Sequence, residues 1–287
     1  MQLNSTHHLR QIMDFHKSTH EVERIVAGAV SCDMYLEHMG RYLFAAPYVQ
    51  GMTVLDAACG TGYGTYYLAN RGAKWITGID LSYKAATYAN TTYRMNSLKY
   101  CSGDVTKMPF CSHSFNLITS FETVEHLRDP ESFIAECKRL LMPNATFIIS
   151  TPNREVHASQ GICVPYHEKE YLLEEFELMV SKHFRIQGIY GQMPLSPSQL
   201  SQKQSTPSIL LKIASFVPKR IRRIMLPFYE SYITGNPLLP TIRYYLNGLG
   251  KNIIWNQPSV PFRYRILPLD KLGPLEKFKT CLIVAAS

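Results

Sequence analysis

No Cys-x-x-Cys pair occurs in the 287 residues, and the seven cysteines lie scattered at 32, 59, 101, 111, 137, 163 and 281. An odd count without paired spacing does not indicate a disulfide framework. Free thiols in a reducing cytosol are expected, and a cytoplasmic protein with them. No apolar run reaches the length of about 18 residues that a membrane span needs. The opening stretch, MQLNSTHHLRQIMDFHKSTH, has no apolar h-region and does not read as a secretory signal. Low-complexity tracts and repeats at solenoid spacing are missing too. Acidic residues are scarce toward the C-terminus: residues 193–287 hold 13 Lys and Arg against 3 Asp and Glu, whereas the first 192 hold 17 against 19. The formal charge of +8 therefore belongs to one region, which can attract anionic partners or form an ordinary solvated face.

What is present is enough for one full core, with 46% hydrophobic residues. Residues 34–49 place Leu36, Met39, Leu43, Phe44 and Val49 at helical spacing, with Asp33 as N-cap and Gly51 as stop. Short apolar runs then alternate with amphipathic segments. Strands are expected at 53–57, 75–79, 99–102, 115–121 and 145–150, with helices at 63–71, 83–96 and 130–141. After a loop, a helix over 171–183 and strands over 184–191 and 278–285 complete the pattern. Such alternation specifies an α/β fold, a doubly wound parallel sheet covered on both faces, with ligands bound beyond the carboxyl ends of the strands. Four parts are expected: an arm over 1–33, a Rossmann-like domain over 34–192, an inserted basic and apolar cover over 193–277, and a last strand of the domain over 278–287.

The strongest motif is VLDAACGTGYG, Val54 to Gly64. A strand ends in Asp56, and a turn with Gly60, Gly62 and Gly64 leads into a helix. Glycine lets the backbone approach a ligand and adopt φ > 0. The spacing is GxGxG, not the GxGxxG of a dinucleotide site, and the acid four residues ahead suits a ligand carrying an ammonium group. A second acid, Asp80 in Gly78–Ile79–Asp80–Leu81, closes the second strand and can accept from both hydroxyls of a ribose. A third, Asp104 in Ser102–Gly103–Asp104–Val105, can accept from an adenine amino group, with Val105 over the ring.

These motifs resemble those of class I S-adenosylmethionine (SAM)-dependent methyltransferases over roughly 20–192 and 278–287. The resemblance implies a seven-stranded sheet whose last strand is antiparallel. It places Asp56, Ala58, Gly60 and Gly62 along the methionine end of the cofactor, Asp80 and Leu81 at the ribose, Asp104 and Val105 at the adenine, and Phe121 beside the methyl-bearing sulfur.

After the fourth strand, Phe121–Glu122–Thr123–Val124–Glu125–His126–Leu127 puts two carboxylates and an imidazole within one turn. This resembles the small-RNA 2′-O-methyltransferases and ubiquinone-pathway O-methyltransferases, which implies a divalent metal on Glu122, Glu125, His126 and His167. Mn²⁺ or Fe²⁺ suits that set better than Mg²⁺. The alternative is a metal-free turn in which Glu122 and His126 act catalytically, His126 as a general base with an ordinary pKa of ~6.5. Asn153 in Thr151–Pro152–Asn153, His167, and Tyr35 and His38 on the N-terminal helix are candidate substrate contacts. Glu23–Val26 and Tyr35–His38 resemble the lead-in of bacterial methyltransferases linked to glycan and secondary metabolism. Ile209–Tyr229 interleaves five basic residues with apolar ones and reads as a lid or as a membrane-surface element. A small-molecule acceptor is therefore expected ahead of nucleic acid, with RNA 3′-end methylation and non-catalytic SAM binding as the other possibilities.

Overall fold

The structure, a computed structural model, describes residues 32–194, 264–269 and 278–287. Residues 1–31 of the arm and the basic stretch 209–229 lie outside the described residues. The chain divides into two units: Met1–Ser18, Ile25–His38 and Pro194–Tyr264 form one, and Thr19–Arg24, Met39–Met193 and Arg265–Ser287 the other. Of the first unit the structure describes little more than the start of helix α1 (Cys32–Ala45), which carries Tyr35 and His38.

The strands are β1 (Thr53–Ala57), β2 (Trp75–Asp80), β3 (Leu98–Ser102), β4 (Phe115–Phe121), β5 (Leu141–Pro152), β6 (Arg185–Pro194), β7 (Tyr264–Pro268) and β8 (Thr280–Ala286). They form one sheet in the order β3-β2-β1-β4-β5-β8-β6-β7. The first five are parallel, as their alternation with helices requires. These are α2 (Tyr63–Ala69), α3 (Tyr83–Thr92) and α4 (Pro130–Leu140). β8 runs antiparallel to both neighbours, with Ile283 opposite Ile149 of β5 and Ile189 of β6. The expected antiparallel last strand is thus in place, but the sheet has eight strands and not seven. The extra one, β7, falls inside the stretch 193–277 expected as an inserted cover.

Local chemistry explains most boundaries. Asp129 caps α4 by accepting from the Ser132 amide at 3.0 Å, and Pro130 occupies the first turn, where its missing N–H is no loss. Ser82 caps α3 through the Ala85 amide at 3.2 Å. That helix ends at Thr92, four residues before its expected end. The loop expected after Thr151 instead contains a short helix, α5 (Arg154–Ser159), followed by α6 (Leu173–Ser181). One face of α4 (Phe133, Ile134, Cys137, Leu140) packs with Phe147, Phe176 and Ile283 into the main core, all essentially inaccessible. The chain reverses its winding between β1 and β4, which puts a crevice beyond their carboxyl ends.

β8 is flanked on both sides, so its side chains cannot relax into solvent. Ile283→Ala is expected to lower unfolding free energy by about 2–5 kcal/mol in urea titrations. A loss below about 1 kcal/mol would show that the strand is not central to the sheet.

Candidate functional site

Beyond β1 the backbone turns left-handed at Ala58 (φ 59°), Gly60 (φ 56°) and Gly62 (φ 82°). Two amides of this turn are bound to the end of β2. The Cys59 amide donates to the Ile79 carbonyl and the Gly60 amide to Asp80 Oδ2, both at 2.9 Å. Asp80 Oδ1 accepts from the Ser82 amide at 2.9 Å, so this carboxylate joins the glycine turn to the start of α3. At Gly62 a Cβ would lie 2.6 Å from the Tyr100 ring and 2.7 Å from the Ala89 methyl, so glycine is required by space as well as by φ. At Gly60 a Cβ would meet nothing within 4 Å. The backbone there faces an open approach, which is what a closely bound ligand needs.

Asp56 is 1% exposed. Three hydroxyls from three elements donate to it: Thr65 at 2.6 Å, Thr119 at 2.9 Å and Tyr42 at 3.3 Å. Burial still outweighs these donors and pushes its carboxyl up to about 6. Asp56 was expected to face an ammonium group; its described partners make it a brace beneath the glycine turn. Around the same crevice, Leu81 is 74% exposed and Val105 buried. Asp104 is exposed and holds its own turn, accepting from the Thr106 amide and hydroxyl at 2.8 Å. Phe121 meets the Tyr42 ring edge-on with centroids 5.0 Å apart, forming an aromatic wall at the end of β4.

The Glu-x-x-Glu-His turn is divided by the structure. Glu122 has φ 51°, a left-handed conformation rare for a side-chain-bearing residue. Its Oε1 accepts from the Ser150 hydroxyl at 2.7 Å, and its Oε2 lies 3.7 Å from the Arg41 guanidinium. Arg41 is 1% exposed and also donates to Gln192 at 2.8 Å and Thr280 at 3.4 Å. Glu125 is inaccessible. Its Oε2 accepts from the Thr151 hydroxyl at 3.1 Å, while Oε1 is buried with no hydrogen-bond partner among the described residues. Burial, reinforced by the Glu122 charge, holds the Glu125 carboxyl well above the usual carboxylate range. His126 and His167 each bring a ring nitrogen into the same place, so that potential ligand atoms of Glu125, His126 and His167 lie within 4.8 Å of one another.

The four-residue set expected for a metal thus loses Glu122, which is turned to Arg41 and Ser150. Asn153, expected in the substrate pocket, is 2% exposed. Its side-chain oxygen accepts from the Glu155 amide at 3.0 Å and its amide nitrogen donates to the Phe278 carbonyl at 3.1 Å. It caps α5 and ties it to the approach to β8. Tyr35 and His38 belong to the other unit. Sequence reasoning did not single out Arg41, Tyr42, Thr65, Thr119, His157 or Glu170, whose roles arise from long-range contacts.

Residues 55–149 match the model of a family described as a methyltransferase domain. The matched stretch runs from β1 into β5 and contains the glycine turn, Asp80 and Asp104. Over 145 residues it is 33% identical to a protein of Mycolicibacterium smegmatis named as a probable SAM-dependent methyltransferase, covering 49% of this chain and 55% of that one. Over 131 residues it is 34% identical to the ubiquinone biosynthesis O-methyltransferase of Glaesserella parasuis, covering 43% and 54%. The chain therefore spans about half the length of the curated relatives it matches. Among solved structures, the [4+2]-cyclase SpnF shares the fold at TM-score 0.56 and 15% identity, covering 96% of this chain and 93% of that one. A cyclase on the same fold shows that the architecture alone does not select a reaction.

The buried Asp56 carboxyl has a measurable signature. Its folded pKa of about 6 lies above the ordinary 3.8, so it adds stability in full below pH 3.8 and loses it as pH rises through 6. Relative to Asp56→Asn, the wild type should gain up to about 3 kcal/mol in denaturation titrations as pH falls across that window. Parallel pH profiles would mean that the carboxylate is not desolvated.

Proposed function

We propose that the protein transfers the methyl group of SAM to an oxygen or nitrogen of a small-molecule acceptor. The observation that carries this is the pairing at the switch point of the Asp80 carboxylate with the Gly60 amide, beside backbone that a ligand can approach closely. A carboxylate can accept several hydrogen bonds, so Asp80 can take a ribose hydroxyl besides the backbone amides. Leu81 and Val105 offer apolar surface to an adenine, and Asp104 an acceptor for its amino group. When bound, SAM supplies a methyl group made electrophilic by a sulfonium. The residues of this chain align it and exclude water. Phe121 and Tyr42 form the apolar side, where a cation that loses its charge during transfer is better accommodated than in water. The name of the Glaesserella relative, an O-methyltransferase, favours oxygen as the receiving atom. A reducing cytosol remains the compartment that the scattered cysteines suit.

A second reading is favoured by the orphaned Oε1 of Glu125. A buried acceptor without a donor is destabilising unless something cationic or protonated meets it. Glu125, His126 and His167 fit a divalent metal of the borderline class by donor type. Such an ion would hold and acidify an acceptor hydroxyl. Methylation of RNA ends would use the same chemistry, so the metal by itself does not distinguish the two acceptors.

Calorimetric titration should show micromolar binding of SAM and of S-adenosylhomocysteine, with none for NAD. Asp80→Ala should weaken SAM binding by about 1–3 kcal/mol through lost charge-assisted hydrogen bonds. Unchanged affinity would sink the ribose assignment. For the metal, the purified protein should contain a stoichiometric divalent ion that EDTA removes and that Glu125→Gln fails to retain. A metal-free preparation that takes up no Mn²⁺, Co²⁺ or Zn²⁺ would dismiss the second reading.

A further inference from the structure

Three aromatic side chains cluster where the glycine turn faces the end of β4. Tyr63 stands in the turn between Gly62 and Gly64, Phe121 is the last residue of β4, and Tyr42 comes from α1. All three are buried. Tyr42 meets Tyr63 at 73° with centroids 5.7 Å apart, and Phe121 at 89° and 5.0 Å. The rings are thus walls set nearly at right angles and not a stack. They belong to the carboxyl ends of β1 and β4, where such a sheet binds ligands. Tyr42 is fixed there from two directions. Its hydroxyl donates to Asp56 Oδ2 at 3.3 Å, and its ring fills the space that a Cβ at Gly64 would need. Burial holds its phenol well above the ordinary range, so the ring stays neutral.

We propose that Tyr42, Tyr63 and Phe121 form an aromatic corner that recognises the positive charge of the sulfonium, so that the site prefers SAM to its neutral product, S-adenosylhomocysteine. This rests on the methyltransferase reading above. The face of an aromatic ring is the negative end of its quadrupole and attracts a cation, most strongly where the pair is desolvated. Several rings around one centre are how proteins recognise methylated ammonium groups. A sulfonium has the same character: a fixed charge, alkyl substituents and no polar hydrogen to donate. Hydrogen-bond acceptors therefore suit it poorly, and the two carboxylates nearest these rings have other partners. Asp56 takes three hydroxyls, and Glu122 lies 3.7 Å from the Arg41 guanidinium. In the transfer the methyl goes to the acceptor oxygen or nitrogen, whose proton is released. The electron pair of the broken bond stays on sulfur as a neutral thioether. The rings then lose the charge they hold, and the product is bound less tightly than the donor.

The test uses the full-length chain and calorimetric titration with SAM and with S-adenosylhomocysteine, read as the ratio of the two affinities. Wild type should bind SAM about 5–30-fold more tightly. Phe121→Leu keeps an apolar contact and removes a ring; it should cut the ratio to about half or less by weakening SAM more than S-adenosylhomocysteine. Tyr42→Phe, which keeps the ring, and Asp56→Asn, which removes a charge but no ring, should preserve the ratio. A second readout needs no variant. In SAM carrying a ¹³C methyl, the methyl proton resonance should move upfield on binding to wild type, as it does over a ring face. Equal affinities in wild type, a ratio unmoved by Phe121→Leu, or a methyl resonance that does not move upfield overturns the aromatic corner and leaves the methyltransferase reading intact. A ratio that survives Phe121→Leu and collapses in Asp56→Asn overturns it too, and assigns the preference to the buried carboxylate. Failure of both ligands to bind wild type overturns the cofactor reading and this proposal together.

Discussion

A buried carboxylate without a cation depends on its hydrogen-bond donors, and Asp56 takes three of them from parts of the chain far apart in sequence. Tyr42 comes from α1, Thr65 from the helix after the glycine turn, and Thr119 from β4. Removing any one donor leaves desolvated charge less compensated. The arrangement therefore selects one placement of α1 and α2 against the ends of β1 and β4. The Tyr42 ring, sent to Asp56 by its hydroxyl, also occupies the space that a Cβ at Gly64 would take, and it meets the Phe121 ring edge-on. A small residue in the third glycine position is thus a consequence of where the tyrosine must go.

The glycine turn depends on the same frame. With Asp56 fixed beneath it, the chain can pass through left-handed conformations at positions 58, 60 and 62 and still deliver the Gly60 amide to Asp80. Ala58 adopts φ 59° without being a glycine, a conformation unfavourable by roughly 1 kcal/mol or more, and it is held there by the bonds on either side. Asp80 in turn is oriented by two backbone amides before any ligand arrives. A carboxylate oriented in advance reduces the ordering that binding would otherwise require.

Much of this was legible in the sequence, because the signals are local. Alternating runs place β1 to β4 within about a residue, and the glycine turn with its flanking acids locates the crevice. The antiparallel β8 followed from resemblance, not from periodicity. What escaped depends on contacts between distant residues. β7 lies in a stretch of prolines and aromatics without alternation. Asn153 looked like a pocket residue, yet it caps a helix too short to show a period. Glu170 and His157 are 13 residues apart and meet only because α5 folds back on the segment behind it. Spacing alone also suggested that Glu122 and Glu125 act together, since nothing in it reveals that Glu122 turns left-handed.

The separation of those two carboxylates follows from charge. Arg41 is 1% exposed, and an uncompensated guanidinium there would be strongly destabilising. Glu122 is the carboxylate within 4 Å of it among the described residues, at 3.7 Å, so Glu122 is its counter-charge there. Glu125, a turn away, has one hydroxyl donor on Oε2 and none on Oε1 among the described residues, and burial, reinforced by the Glu122 charge, pushes its carboxyl well above the usual range. Two acids of one short motif are thereby given different surroundings, one beside an arginine and the other left wanting a positive partner. A cation placed against Oε1 would reverse the penalty on Glu125 without disturbing Glu122.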